Sequence, residues 1–178
     1  MLPLGTKAPD FTLTNTKDNT TVNLQESKGE KGTVIMFICN HCPFVIHVNP
    51  MLVEVANAYT KKGISFIAIS SNDVVNYPQD GPELMKAQAE TLGYPFPYLY
   101  DETQEVATAY DAACTPDLYF FDDNLTLVYR GQLDDSRPGN GIPVTAKDLK
   151  HALDCLLEGK KNTALQKPSI GCNIKWKL

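Results

Sequence analysis

The feature that most constrains the fold is a change of period between residues 33 and 60. Thr33 to Ile38 is an unbroken apolar run with β-branched residues early in it, the pattern of a strand buried on both faces in a parallel sheet. After Pro43 the pattern becomes helical: Val45, Ile46, Leu52, Val53, Val55, Ala56 and Tyr59 recur at helical spacing, and Lys61, Lys62 and Gly63 close the run. Late charge and a glycine are what a helix C-terminus calls for. Pro50 falls inside this helix and is expected to kink it, because it removes a donor and crowds the preceding turn. A strand running almost directly into a helix leaves a short junction, and it reads Cys39-Asn40-His41-Cys42.

The rest of the chain extends this unit. An arm over residues 1–14 leads through Ala8-Pro9-Asp10 into a short strand at Phe11-Thr12-Leu13, and Thr20 to Leu24 is a second short strand followed by a polar loop to Gly32. Ile64 to Ser70 reads as another buried strand, residues 72–82 as a loop, Glu83 to Leu92 as a helix and Pro97 to Tyr100 as a strand. Asp101 to Tyr110 is expected to be helical behind an acidic cap. Asp117–Asp122 and Leu125–Gly131 flank Asp123-Asn124, the two-residue connection of a tight hairpin. Thr145 to Glu158 is a helix capped by Thr145 and closed by Gly159, and residues 160–178 form a tail. Alternating β and α units followed by a hairpin and a last helix predict a three-layer α/β sandwich. Its central mixed sheet carries helices on both faces, in one domain over residues 1–178.

Composition narrows the function classes. The 178 residues suffice for one well-buried core. A net charge of −5 offers no basic footprint, so neither nucleic acid nor a membrane surface is an expected partner. No secretory signal or membrane-spanning run is read from the sequence, and a cytoplasmic location is expected. The five cysteines are Cys39, Cys42, Cys114, Cys155 and Cys172. An odd number in a chain of this size argues against a structural disulfide framework and for catalytic or metal-binding use of the close pair.

Pro43 is favoured at the first helical position, which puts Cys42 at the helix N-terminus. Unpaired N–H groups and the helix dipole there favour a thiolate, the form that attacks disulfides and peroxides. Cys39 is near enough to trap a mixed disulfide or sulfenic acid on Cys42, and His41 is a candidate proton carrier. A different chemistry is open to the same residues: Cys39 and Cys42 with His41 or His47 as ligands for Cu(I) or Zn(II). A non-enzymatic redox sensor acting through the tail is a third reading. Cys155, on an amphipathic helix beside Leu153 and Leu156, reads as structural. Cys114 and Cys172 are candidate auxiliary or resolving thiols, the latter on an ordered strap with Gly171 and Trp176. The aromatic stretch Tyr94 to Tyr98 is expected to support the groove.

Strand, cysteine motif, helix, strand and then Cys114-Thr115-Pro116 before a hairpin strand together resemble the thioredoxin fold. Gly5-Thr6-Lys7-Ala8-Pro9-Asp10-Phe11 resembles the opening of peroxiredoxins and related thiol reductases. Cys39-Asn40-His41-Cys42-Pro43-Phe44, Asp101-Glu102-Thr103-Gln104 and Gly171-Cys172-Asn173-Ile174-Lys175-Trp176 are similar to a peroxiredoxin-like subgroup of thiol–disulfide oxidoreductases. The resemblance implies that Thr115–Pro116 is cis and that Pro43, Thr115 and Pro116 line the substrate groove. It also implies a disulfide or hydroperoxide substrate, re-reduction by a cellular dithiol such as a thioredoxin system, and no organic cofactor or resident metal. The chain departs from the family patterns at informative positions. Cys42 aligns with the first thioredoxin cysteine and Val45 with the second. Cys39 and Ile35 stand where peroxiredoxins carry Thr or Ser and Pro, and their arginine falls near Cys114. The peroxide-activating set is therefore incomplete, and dithiol exchange is the expected reaction, with weak peroxidase activity at most.

Overall fold

The computed structural model describes residues 2–178. Its centre is strand β3 (Gly32–Phe37), buried along its whole length, with helix α2 (Pro43–Thr60) following five residues later. Chain order continues from β1 (Thr12–Asn15), β2 (Thr21–Asn23) and α1 (Leu24–Ser27) before this unit to β4 (Ile64–Ser70), α3 (Pro82–Leu92), β5 (Tyr98–Tyr100) and α4 (Glu105–Ala109) after it. Then come β6 (Cys114–Thr115), β7 (Asp117–Asp122), β8 (Leu127–Gly131), α5 (Lys147–Leu157) and β9 (Cys172–Asn173). Seven strands form one mixed sheet in the order β2-β1-β5-β4-β3-β7-β8. The β3–β4 and β4–β5 pairs are parallel and the others antiparallel.

Alternation along β3 explains why it reads as uniformly apolar. Val34 and Met36 face a core closed by α2, α3 and α5, including Leu52, Met85 and Leu153. Ile35 and Phe37 face a second core with Leu24, Val106, Tyr110 and Ile174. The expected helices on both faces are thus present, and the second face is completed by short helices, aromatic side chains and the C-terminal tail. Tyr110 is its hub, with ring contacts to Phe11, Phe37, Tyr119 and Phe121.

Several local expectations are corrected. The polar loop expected after Leu24 begins with a helical turn, because Asn23 accepts from the Glu26 amide and Leu24 is fully buried. Helix α4 is shorter than expected, and the buried carboxylate of Asp101 caps it from outside by accepting from the Val106 and Ala107 amides. Helix α5 starts at Lys147, two residues later than expected. The Thr145 hydroxyl accepts from the Lys147 amide as expected, and the Leu133 carbonyl accepts from the Asp148 and Leu149 amides. Asp134 holds the turn before the helix by accepting from the Thr145 and Ala146 amides at 2.8 and 2.7 Å. The hairpin connection is four residues, 123–126, because Asp122 folds the turn onto itself by accepting from the Asn124 and Thr126 amides. Helix α2, by contrast, carries the exposed Pro50 inside it as expected.

The tail is an ordered strap. Lys167 accepts from the Gln132 amide, Ser169 donates to Gly131, and β9 then pairs antiparallel with β6. Beyond it, the Ile174 amide donates to Ala113, Lys175 accepts from Asp73, and the Lys177 amide donates to the Gln104 side chain.

Candidate active site

Because β3 ends at Phe37, Ile38 and Cys39 leave the sheet still buried, and Cys42 becomes the N-cap of α2. The Cys42 carbonyl accepts from the Val45 and Ile46 amides, which fixes the cysteine at the positive end of an 18-residue helix. Cys39 is 1% exposed and Cys42 is fully covered.

The third wall is the segment before β7. The Thr115–Pro116 peptide is cis, in agreement with the sequence resemblance. Thr115 meets both sulfurs: its carbonyl oxygen lies 3.4 Å from Cys42 Sγ and its hydroxyl 3.7 Å from Cys39 Sγ. The two thiols are electrostatically unequal. Donation by Cys39 holds the Cys42 thiol well below its ordinary value, with Thr115 and Cys172 assisting and burial opposing. Cys39 is pushed far up, first by that same bond to Cys42, then by burial and the negative charge of Asp80. The Thr115 carbonyl, accepting from Cys42 Sγ, acts in the opposite sense and favours its protonated form. Of the two, Cys42 is the thiol disposed to ionise and Cys39 the one disposed to keep its proton.

Asp80 organises the junction from a loop that the sequence reading treated as featureless. Its carboxylate is fully buried; Oδ1 accepts from the Asn40 and His41 amides, and Oδ2 accepts from the Asn72 side chain. His41 Nδ1 lies 2.5 Å from Oδ2, an ion-pair contact without hydrogen-bond alignment. The imidazole stacks on Tyr77, and Lys175 of the strap lies over the Tyr77 ring. Asn40 is further held by the Tyr98 hydroxyl, so the aromatic stretch does brace the junction. The only sequence signal for Asp80 was its place before Gly81-Pro82 at a helix start, which is common to many loops.

Of the remaining expected residues, Pro43 opens α2 and Pro116 lines a small cleft with Phe44, Leu133 and Ile170. Cys114 points away from the pair, toward the Pro116 and Ser169 carbonyls, and burial with the nearby Asp117 pushes it up to about 12. Cys155 packs on α5 beside His151. Cys172 is brought to the pair: its register partner is Thr115, and it packs against the core cluster that holds Cys39 and Cys42. Among the described residues, the cluster with metal-ligand chemistry is Cys39, His41 and Asp80, with ligand atoms within 4.8 Å of one another. His47 is turned elsewhere, 2.7 Å from Ser136, so the four-ligand set of Cys39, Cys42, His41 and His47 is not assembled. Asp80 already receives protein donors on both oxygens.

Solved structures share this arrangement of elements. An uncharacterised conserved protein from Geobacillus kaustophilus is 66% identical with a TM-score of 0.98, covering 99% of this chain and 94% of its own. The thioredoxin domain of a thiol-disulfide oxidoreductase from Bacteroides vulgatus has the same fold, with a TM-score of 0.62 at 20% identity over 73% of this chain and 89% of that one. By sequence, the thiol-disulfide oxidoreductase ResA of Geobacillus kaustophilus (strain HTA426) is 28% identical over 122 residues, 68% of this chain. The match spans 64% of that protein's length. With the AhpC/TSA family model matching residues 4–130, across the whole cysteine junction and the cis-proline segment, the chain belongs to the AhpC/TSA family of the thioredoxin fold.

Proposed function

We propose that the protein is a thiol–disulfide oxidoreductase in which the Cys42 thiolate attacks a substrate disulfide and Cys39 resolves the resulting mixed disulfide. The observation that carries this reading is geometric: Cys42 caps the N-terminus of α2, and Thr115, before the cis-proline, meets the sulfurs of both Cys39 and Cys42. Attack releases the first substrate thiolate. Cys39 then gives up its proton, attacks Cys42 Sγ, and expels the second substrate thiol. Cys42 is the better leaving group as well as the nucleophile, so the resulting Cys39–Cys42 bond is readily re-reduced. A thioredoxin-type dithiol in a reducing cytoplasm is the expected donor, and the cycle needs no organic cofactor.

Hydroperoxide is a poorer substrate. Peroxide cleavage needs donors arranged on the attacked oxygen, and here the flanking positions are Cys39 and Ile35, with Cys114 where an arginine is required. The Arg137 guanidinium is committed to Asp134, Ser136 and Gln132.

The test is turnover of a model disulfide with a dithiol donor. Cys42→Ser should reduce the rate to background. Cys39→Ser should stall after one turnover with substrate linked to Cys42. Full turnover by folded Cys42→Ser would overturn the assignment.

A further inference from the structure

The strap raises a question that the dithiol cycle leaves open. Both members of the Cys39–Cys42 pair are covered, and a macromolecular reductant has to reach a sulfur. Cys172 is partly exposed and packs against the core that contains the pair. Antiparallel pairing places it opposite Thr115, the residue whose carbonyl contacts Cys42 Sγ. The two thiols also influence each other: Cys172 helps hold the Cys42 thiol down, and Cys42 helps push the Cys172 thiol up.

The strap is shaped for this contact. A Cβ on Gly171 would lie 1.9 Å from the Thr115 carbonyl oxygen and 3.3 Å from Pro116 Cδ, so a side chain there would separate β9 from β6. On the far side of Cys172, Ile174 is 1% exposed in the second core and Lys175 is held by Asn72, Asp73 and Gln104. The thiol is thus clamped on both sides at Cys42, an arrangement that a bystander on a frayed tail would not need.

We propose that Cys172 is a third redox thiol, which takes over the disulfide from Cys39 and presents it to the external dithiol. The proposal rests on the dithiol reading above. Its first step is an exchange: the Cys172 thiolate attacks Cys42 Sγ of the Cys39–Cys42 disulfide, forming Cys42–Cys172 and releasing Cys39. Cys39 takes up one proton and Cys172 has lost one, so atoms, electrons and protons balance. In the second step, one thiolate of the external dithiol attacks the Cys172 sulfur and expels Cys42 as thiolate. The other thiol of that dithiol then attacks its own sulfur in the mixed disulfide. This frees Cys172 and leaves the reductant as a disulfide.

The order is set by charge. In the reduced protein, burial and then the neighbouring Cys42 thiolate hold Cys172 up at about 11. Oxidation of Cys42 removes that negative neighbour while the Phe44 amide and Lys175 remain. Cys172 is therefore activated when there is a disulfide to receive. Low acidity of the departing thiol favours the reverse reaction in the first step, but the second step draws the exchange forward because Cys42 leaves readily.

The experiment oxidises the full chain with one equivalent of 4,4′-dithiodipyridine, quenches in acid, blocks free thiols and maps the disulfides by mass spectrometry. Re-reduction by reduced thioredoxin is followed in parallel. Cys39→Ser should accumulate a Cys42–Cys172 bond. Cys172→Ser and Cys172→Ala should still form Cys39–Cys42, but be re-reduced at least about tenfold more slowly than wild type. The relay alone is overturned if Cys39→Ser keeps thiopyridine on Cys42 with Cys172 free, or if both Cys172 variants are re-reduced at the wild-type rate. Absence of the Cys39–Cys42 bond from wild type and both Cys172 variants overturns the dithiol reading and the relay with it.

Discussion

In the proposed cycle the chemistry rests on one residue, Cys42, and comes from position rather than composition. Unfolded thiols ionise near pH 8.5; in the fold Cys42 is held lower by the Cys39 donor and Cys39 is driven higher. The signs are opposite in their effect on stability. The depressed Cys42 contributes stability above the unfolded value and loses it as pH falls through its folded value. The raised Cys39 contributes below the unfolded value and loses it as pH rises through its own. At neutral pH, ultraviolet thiolate absorbance of the reduced protein should report one ionised thiol that disappears in Cys42→Ser. An unchanged signal in that variant would mean the charge resides elsewhere. The pair was legible because helix-start chemistry is local: Pro43 and the change of period announce it. Asp80 was not, because its partners Asn40, His41 and Asn72 meet it only in the folded loop.

At the scale of elements, the sequence reading succeeded where an element's own pattern sets its limits and failed where another segment sets them. Strands β3 and β4 and helices α2 and α3 were legible from periodicity and punctuation. The β6–β9 pair was not, since two residues carry no period and their partner lies more than fifty residues away. The start of α5 was misplaced because the segment before it sets the limit: the Leu133 carbonyl accepts from the Asp148 and Leu149 amides, and Asp134 accepts from the Ser136, Thr145 and Ala146 amides. Replacing that carboxylate by Asp134→Ala leaves three buried or half-buried donors without it. The expected cost is about 1–3 kcal/mol, read as a lower urea midpoint with unchanged m-value; no shift would show that water replaces the carboxylate. Gly171→Val tests the strap in the same way. The Cβ contact with Thr115 should undo the β6–β9 pair, and amide exchange at Cys172 to Ile174 should accelerate by about tenfold or more. Unchanged protection there would show that the cis-proline segment yields to the side chain.

Across the whole molecule, the two faces of the sheet divide the work of stability and access. The face beneath α2, α3 and α5 is a continuous helical layer, and Leu153 lies fully buried in it. The opposite face is assembled from short elements and closed in part by Ile174 from the strap. Both residues are buried aliphatics, and truncating either removes comparable contacts, about 2–5 kcal/mol for a substitution to alanine. The expected consequences differ because a cooperative unit spreads such a loss, whereas a peripheral strap opens on its own. Leu153→Ala should lower the global urea midpoint by the full amount. Ile174→Ala should leave the helical signal nearly as stable as wild type while opening the strap. A local loss of about 2 kcal/mol raises the open population roughly 30-fold, and with it the rate at which a bulky maleimide labels Cys42. If Ile174→Ala instead moves the global midpoint as far as Leu153→Ala, with Cys42 labelling unchanged, the strap belongs to the cooperative core. Access to the thiolate would then have to come through the exposed edge of Cys172 rather than through release of the strap.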